Sequence, residues 1–188
     1  MITTLHDYIK VYKNVLTSED CDSIISHPKN DETWEESLPV WGTNQNYMVQ
    51  NRRKCDYIDM SQEGKSYKDI DEMLYNRFSD TIKKYSENTY LIFGRDSGYQ
   101  LLRYKKRGGY IRHVDSVPER QNHICCSILL NDDFGGGELT FFGSDDIDEY
   151  TPKLTKGDMI IFPANFMYPY AINSITSGER YSVVTWVI

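Results

Sequence analysis

A mainly β fold of the sandwich or jelly-roll kind, braced by N-terminal helices, is predicted by three features of this sequence. First, from residue 90 onward short apolar segments recur at 99–104, 124–130, 138–142, 159–162, 171–175 and 181–188. Second, turn signals separate them: Arg107-Gly108-Gly109, Asn131-Asp132-Asp133, Gly135-Gly136-Gly137, Lys156-Gly157-Asp158 and Ser177-Gly178. Strands about 8–15 residues apart with such punctuation belong to two-sheet β architectures. Third, the helical patterns all come earlier, so the helices brace one face of a sheet instead of alternating with its strands.

Taken in order, residues 11–16 (Val-Tyr-Lys-Asn-Val-Leu) read as a strand. Thr17 with Asp20 three residues later is a helix start, and that helix runs through Ile25 to stop at His27-Pro28. Residues 29–65 are polar and irregular, carrying Trp34, Trp41, Tyr47 and the basic run Arg52-Arg53-Lys54. A stretch of this length without periodicity is commonly a functional loop, and 34–57 is the candidate for gripping a substrate. Residues 66–88 place Ile70, Met73, Leu74, Phe78 and Ile82 at helical spacing with charges between them.

With 188 residues the chain reads as a single domain over 1–188, large enough to bury its own core. A net charge of −7 argues against a nucleic-acid partner, which needs a basic field. No stretch has the length of a signal peptide or a transmembrane helix, so the expectation is no membrane association and a cytoplasmic location. Cys21, Cys55, Cys125 and Cys126 show no C-x-x-C spacing. On a strand Cys125 and Cys126 point to opposite faces, so all four read as buried, reduced thiols.

The chemistry centres on Gly109-Tyr110-Ile111-Arg112-His113-Val114-Asp115. On extended backbone His113 and Asp115, two apart, face the same side, where an imidazole and a carboxylate reach one cation together. Two such ligands plus a distant histidine make the facial triad of non-haem Fe(II) oxygenases, while the pair alone reads more readily as a surface ion pair.

Five motifs follow in a fixed order: the His113 segment, Ile128-Leu129-Leu130-Asn131-Asp132-Asp133, Gly136-Gly137-Glu138-Leu139, Lys156-Gly157-Asp158-Met159-Ile160-Ile161-Phe162, and Gly178-Glu179-Arg180-Tyr181-Ser182-Val183-Val184-Thr185-Trp186. Together they resemble the prolyl-4-hydroxylase branch of the 2-oxoglutarate- and Fe(II)-dependent dioxygenases. Around His113 the likeness is to the hypoxia-factor prolyl hydroxylases. The resemblance covers residues 11–188, with Asn14–Cys21 matching the opening of the family's domain and 29–65 matching least. It implies a double-stranded β-helix, Fe(II) as metal, 2-oxoglutarate as co-substrate, ascorbate as a candidate reductant, and a proline-containing peptide or protein as substrate. His113 and Asp115 match its metal ligands. Arg180, ten residues after position 170, matches the cation that binds the distal carboxylate of 2-oxoglutarate, a pairing suited to a guanidinium fork. Tyr104 matches a phenol on that carboxylate. Tyr110 and Trp186 match positions near the substrate mouth, and read equally as packing aromatics.

The departure is at the third ligand. Where the family has a histidine this chain has Tyr170, with the register held by Pro163 upstream and Arg180 downstream, and no histidine follows His123. Three readings stand: Tyr170 ligates as a phenolate; iron is held by His113, Asp115, 2-oxoglutarate and water with Tyr170 only nearby; or the site is silent and the fold binds a peptide or a dicarboxylate. His123 as a substitute nitrogen has no positional argument in its favour.

Overall fold

A computed structural model describes residues 4–29, 34–36, 53–61, 67–89, 91–92, 94–118, 121–143 and 149–188. Much of the predicted substrate loop, including Trp41, Tyr47 and Arg52, lies outside the described residues. The strands are β1 (Lys10–Tyr12), β2 (Glu35–Glu36), β3 (Arg53–Lys54), β4 (Asp56–Asp59), β5 (Gln100–Tyr104), β6 (Gly109–His113), β7 (Ile124–Leu129), β8 (Gly135–Gly136), β9 (Leu139–Phe142), β10 (Glu149–Tyr150), β11 (Met159–Pro163), β12 (Tyr170–Ile172), β13 (Ile175–Ser177) and β14 (Arg180–Val187). The helices are α1 (Ser18–Ser26) and α2 (Lys68–Thr89).

Two antiparallel sheets carry the fold. The larger has the order β1-β11-β7-β14-β5-β4-β2 and the smaller β10-β9-β12-β6-β3, while β13 pairs with β8 apart from both. Period-two alternation sorts the larger sheet's side chains into two layers. Leu101, Cys126, Ile128, Met159, Ile161, Val183 and Val187 face the helices and pack with Ile24, Leu74, Phe78, Ile82 and Tyr85. Leu102, Tyr104, Cys125, Ile160, Phe162, Val184 and Trp186 face the smaller sheet and meet Leu139, Phe141, Tyr170 and Ile172. Cys125 and Cys126 thus fall in different layers, as alternation requires. α2 buries Ile70, Leu74, Phe78 and Ile82 at spacings of four, each worth about 1.5–3 kcal/mol when fully covered.

Local chemistry sets the ends. Thr17 Oγ1 accepts from the Asp20 amide at 3.1 Å while the Asp20 carboxylate accepts from the Thr17 amide at 3.2 Å, a reciprocal cap for α1. β1 stops at Tyr12, not at residue 16: Asn14 turns left-handed (φ 53°), and the Val15 and Leu16 amides both donate to the Gly157 carbonyl. Gly157 has φ 85°, and a Cβ there would meet the Leu16 carbonyl oxygen. β3 and β4 form inside the stretch read as irregular, because their partners are remote: β3 pairs with β6, and β4 with β5.

Asp158 closes this corner. Its fully buried carboxylate accepts from Lys13 Nζ (2.7 Å), the Asn14 amide (3.1 Å), and the Thr155 amide and hydroxyl (both 2.7 Å). Burial pushes this carboxyl up, but those donors outweigh it and hold it below the ordinary carboxylate range. A folded-state value below the unfolded one stabilises the fold above the unfolded pKa and loses that contribution as pH falls through the folded value. Asp158→Ala is therefore expected to cost about 2–3 kcal/mol at pH 7, with the difference from the parent shrinking as pH drops below about 4. Urea denaturation of both chains across that range checks it, and a pH-independent difference would count against the electrostatic account.

Candidate active site

The site lies between the two sheets where β6 and β12 run side by side. His113 ends β6, and its Cα partner across the ladder is Tyr170, the first residue of β12. The structure therefore brings the His-x-Asp pair and Tyr170 into one cluster. His113 Nε2 is 3.3 Å from Asp115 Oδ1. The alignment is poor for a hydrogen bond, and Nε2 remains buried without a hydrogen-bond partner. Nδ1 lies 2.8 Å from the Ile111 carbonyl, an acceptor only, so Nδ1 carries the proton and, in the neutral ring, the Nε2 lone pair is free. That is the tautomer of a metal-binding imidazole.

Asp115 is held from several directions. Tyr170 Oη donates to its carboxylate, 3.1 Å from each oxygen, and Trp186 Nε1 donates to Oδ2 at 2.8 Å. Cys125 from β7 adds a thiol contact. Burial pushes the Asp115 carboxyl up, yet with the His113 ring protonated its contact and those from Trp186 and Cys125 outweigh it and hold it below the usual range. Burial pushes the Tyr170 phenol well above its ordinary value, and the neighbouring Asp115 charge adds to this. Asn122 Nδ2 donates to the Asp115 carbonyl at 2.9 Å and the Ser116 amide to the Ala164 carbonyl at 2.9 Å, fixing the loop that carries the carboxylate.

Aromatic rings enclose the cluster. Tyr110 stacks on the His113 ring with centroids 3.4 Å apart at 17°, and Tyr170 lies 4.3 Å from the same ring. Phe162 meets Tyr170 edge-on at 4.9 Å. Trp186, matched by resemblance to the substrate mouth, is 9% exposed and spends its indole N–H on Asp115. His123 precedes β7 and lines a groove with Tyr85, Ile124 and Tyr168, and none of the cluster's residues lines that groove.

Arg180 opens β14 directly opposite Tyr104 on β5. It is 3% exposed, its Nη1 donates to Ser182 Oγ at 2.9 Å, and its Cζ is 5.6 Å from the Tyr104 ring. Among the described residues it has no carboxylate partner. Burial lowers its pKa, with Tyr104 and then Tyr170 acting against that. A buried guanidinium without an anion is costly, so the arrangement suits an anionic ligand. Among the described residues no group of three or more His, Cys, Asp or Glu side chains is set to hold a metal. The fit is at two corners, His113 and Asp115, with a phenol at the third.

Sequence reasoning missed Cys125 and Ser182. Alternation put Cys125 on the site's face, and spacing of two put Ser182 beside Arg180.

Residues 99–188 match the family model of the 2OG-Fe(II) oxygenase superfamily. This segment, 90 of the chain's 188 residues, is similar to that superfamily. A PKHD-type hydroxylase of Psychrobacter sp. (strain PRwf-1) is 35% identical over 77 residues, 40% of this chain and 28% of the relative. A PKHD-type hydroxylase of Prochlorococcus marinus (strain AS9601) is 23% identical over 180 residues, 92% of this chain and 75% of the relative. The chain spans 28–40% of the length of three curated relatives that it matches at 31–35% identity. A prolyl hydroxylase from Trichoplax adhaerens, solved with a hypoxia-inducible-factor peptide, superposes with a TM-score of 0.76 at 14% identity, covering 96% of this chain and 83% of that one. A Pseudomonas putida prolyl-4-hydroxylase gives 0.68 at 15%, covering 96% and 91%. At such identities the likeness concerns the fold, and the two sheets described above are those of a double-stranded β-helix.

Proposed function

We propose that this chain is a 2-oxoglutarate- and iron-dependent dioxygenase that hydroxylates a prolyl residue in a peptide or protein. The observation that carries the reading is the free, buried Nε2 of His113, 3.3 Å from Asp115, in the same inter-sheet space as the anion-seeking Arg180. His113 and Asp115 would hold Fe(II), with Tyr170 at the third corner. Bound iron supplies the activation of O₂ for oxidation of an unreactive C–H bond, and 2-oxoglutarate supplies the electrons as it is decarboxylated to succinate.

The chain's own part is binding and orientation. The Ile111 carbonyl fixes the His113 ring, and the Trp186 indole fixes one oxygen of Asp115. Arg180 and Tyr104 receive the distal carboxylate of the co-substrate. The stack of Tyr110 on His113 and the wall of Phe141, Phe162 and Tyr170 exclude water from the centre.

A specific observation supports a second reading. Tyr170 already donates to both oxygens of Asp115, so the cluster is hydrogen-bonded without a cation, as in a silent member that binds a dicarboxylate or a peptide. Anaerobic loading with Fe(II) and 2-oxoglutarate, then O₂ with ascorbate and a proline-containing peptide, separates the two. Succinate and a peptide heavier by one oxygen are expected. Binding of 2-oxoglutarate without metal uptake or succinate would replace the enzyme reading with the binding one.

A further inference from the structure

A concentration of cations lies at the edge of the two sheets beside β6, and neither the iron corner nor the dicarboxylate anchor uses it. The chain crosses from the smaller sheet to the larger at Cys55, between β3 and β4, and crosses back at residues 105–108, between β5 and β6. The two crossings touch. A Cβ on Gly108 would stand 2.7 Å from the Lys105 carbonyl oxygen and 2.8 Å from that of Lys54, an approach that glycine permits by lacking that atom. It gathers Arg53, Lys54, Arg103 and Lys105 around one groove of about 380 Å³, with Glu36 and Asp56 as its acids.

Charge in the groove does not balance. Asp56 Oδ2 accepts from Arg103 Nη2 at 2.7 Å and Nε at 3.1 Å and pairs with Lys105 Nζ at 2.8 Å, so one carboxylate serves two cations. Arg103 is also held over the Trp34 ring, its Cζ 4.0 Å from the centroid. Lys54 is exposed, and Lys106 and Arg107 extend the cluster along the exposed turn before β6. Six cations thus stand with two carboxylates, in a chain whose totals are 21 and 28. Exposed ion pairs are individually weak. A compact excess of one sign on a surface of the other nevertheless steers a complementary partner to that spot and away from the rest. The net charge of −7 disfavours a nucleic acid, which would cover far more of the surface than this groove.

The groove adjoins the candidate active site through β6. Lys54 pairs with Gly109 and Arg53 with Tyr110, and the Arg53 Cζ is 5.6 Å from the Tyr110 ring that stacks on His113. From Gly109 to His113, the length of β6, the strand rises about 13 Å. An extended peptide covers that span with about four residues.

We infer that this groove receives an acidic segment of the peptide substrate, about four residues from the prolyl residue presented at the site. This rests on the prolyl-hydroxylase reading. Lys54 and Lys105, both exposed, meet the segment's carboxylates, and Arg103 is already oriented by Asp56 and Trp34.

The test is fluorescence anisotropy with short labelled peptides that carry one proline and, about four positions from it, a run of Glu, Gln or Lys. The run lies on the N-terminal side of the proline in one set and on the C-terminal side in the other. One placement of the Glu run is expected to bind about tenfold tighter than its Gln counterpart, the scale of a few exposed ion pairs. That advantage falls as salt is raised. The double variant Lys54→Glu/Lys105→Glu is expected to lose the Glu preference and to favour the Lys run, a gain that an unfolded chain cannot show. Glu and Gln peptides within about twofold of each other overturn the proposal. So does a variant that keeps the Glu preference, or an equal gain from both placements, which marks diffuse attraction without a link to the site. Succinate release from 2-oxoglutarate with the same peptides is read separately. Succinate without a Glu preference removes the groove alone, whereas a Glu preference without succinate keeps the groove and removes the oxygenase reading.

Discussion

Arg180→Met is expected to abolish measurable 2-oxoglutarate binding, a loss on the order of 100-fold or more, while leaving the unliganded fold as stable as the parent or more so. Truncating one partner of a buried, hydrogen-bonded charge pair costs about 2–5 kcal/mol of binding, which at about 1.4 kcal/mol per factor of ten spans tens to thousands. The opposite sign for stability follows from the same burial. In the free chain Arg180 is 3% exposed, bonded to Ser182 and lacking a carboxylate among the described residues. Replacing a poorly compensated buried ion by an apolar side chain of similar length is commonly neutral or stabilising by about 1–4 kcal/mol. Urea denaturation with and without 2-oxoglutarate reads both effects. The parent gains stability with ligand concentration, and the variant shows none of that gain. A variant that keeps the ligand-dependent gain would remove Arg180 from the binding site.

Tyr104 and Arg180 were drawn together in the sequence only by the family resemblance, and their pairing across β5 and β14 is the structure's own. The strands that carry them were legible because the turns at Gly108-Gly109 and Gly178 mark where they begin or end. The His113–Asp115 pair was read from a spacing of two on extended backbone; β6 in fact ends at His113, and Asp115 comes within 3.3 Å of it from the bend that follows. The α1 cap was legible because its bonds span three residues. What stayed hidden depends on contacts distant in sequence. β3 and β4 have no periodicity of their own and exist because β6 and β5 offer edges to pair with. Residues 15–16 carry strand-forming side chains, but their amides are drawn to Gly157, more than 140 positions away. Trp186 fits a substrate mouth or a packed core equally well until Asp115, 71 residues earlier, is seen to accept its N–H.

Tyr170→His is expected to raise affinity for Fe(II), or for Mn(II) as a redox-silent probe, by at least about tenfold. Changing a residue that merely orients a metal ligand typically shifts affinity 10–100-fold, and a new imidazole at this corner should match that. The position favours it, since residue 170 is the ladder partner of His113 and its hydroxyl lies 3.1 Å from both oxygens of Asp115. Two effects are combined in that variant: a ligand is added, and the phenol's hydrogen bond to the carboxylate is removed. Tyr170→Phe isolates the second. It deletes the hydroxyl, should cost about 1 kcal/mol of stability, and should leave metal affinity near the parent's if the missing ligand is the limitation. Should Tyr170→Phe gain as much as Tyr170→His, the phenol's hold on Asp115 is what opposes the metal, and the silent reading gains. Should Tyr170→Phe instead lose metal, together with a visible tyrosinate-to-Fe(III) band present in the parent, the phenol itself is a ligand. Each outcome assigns a different job to the same hydroxyl, and the carboxylate oxygens it touches are the ones a cation would need.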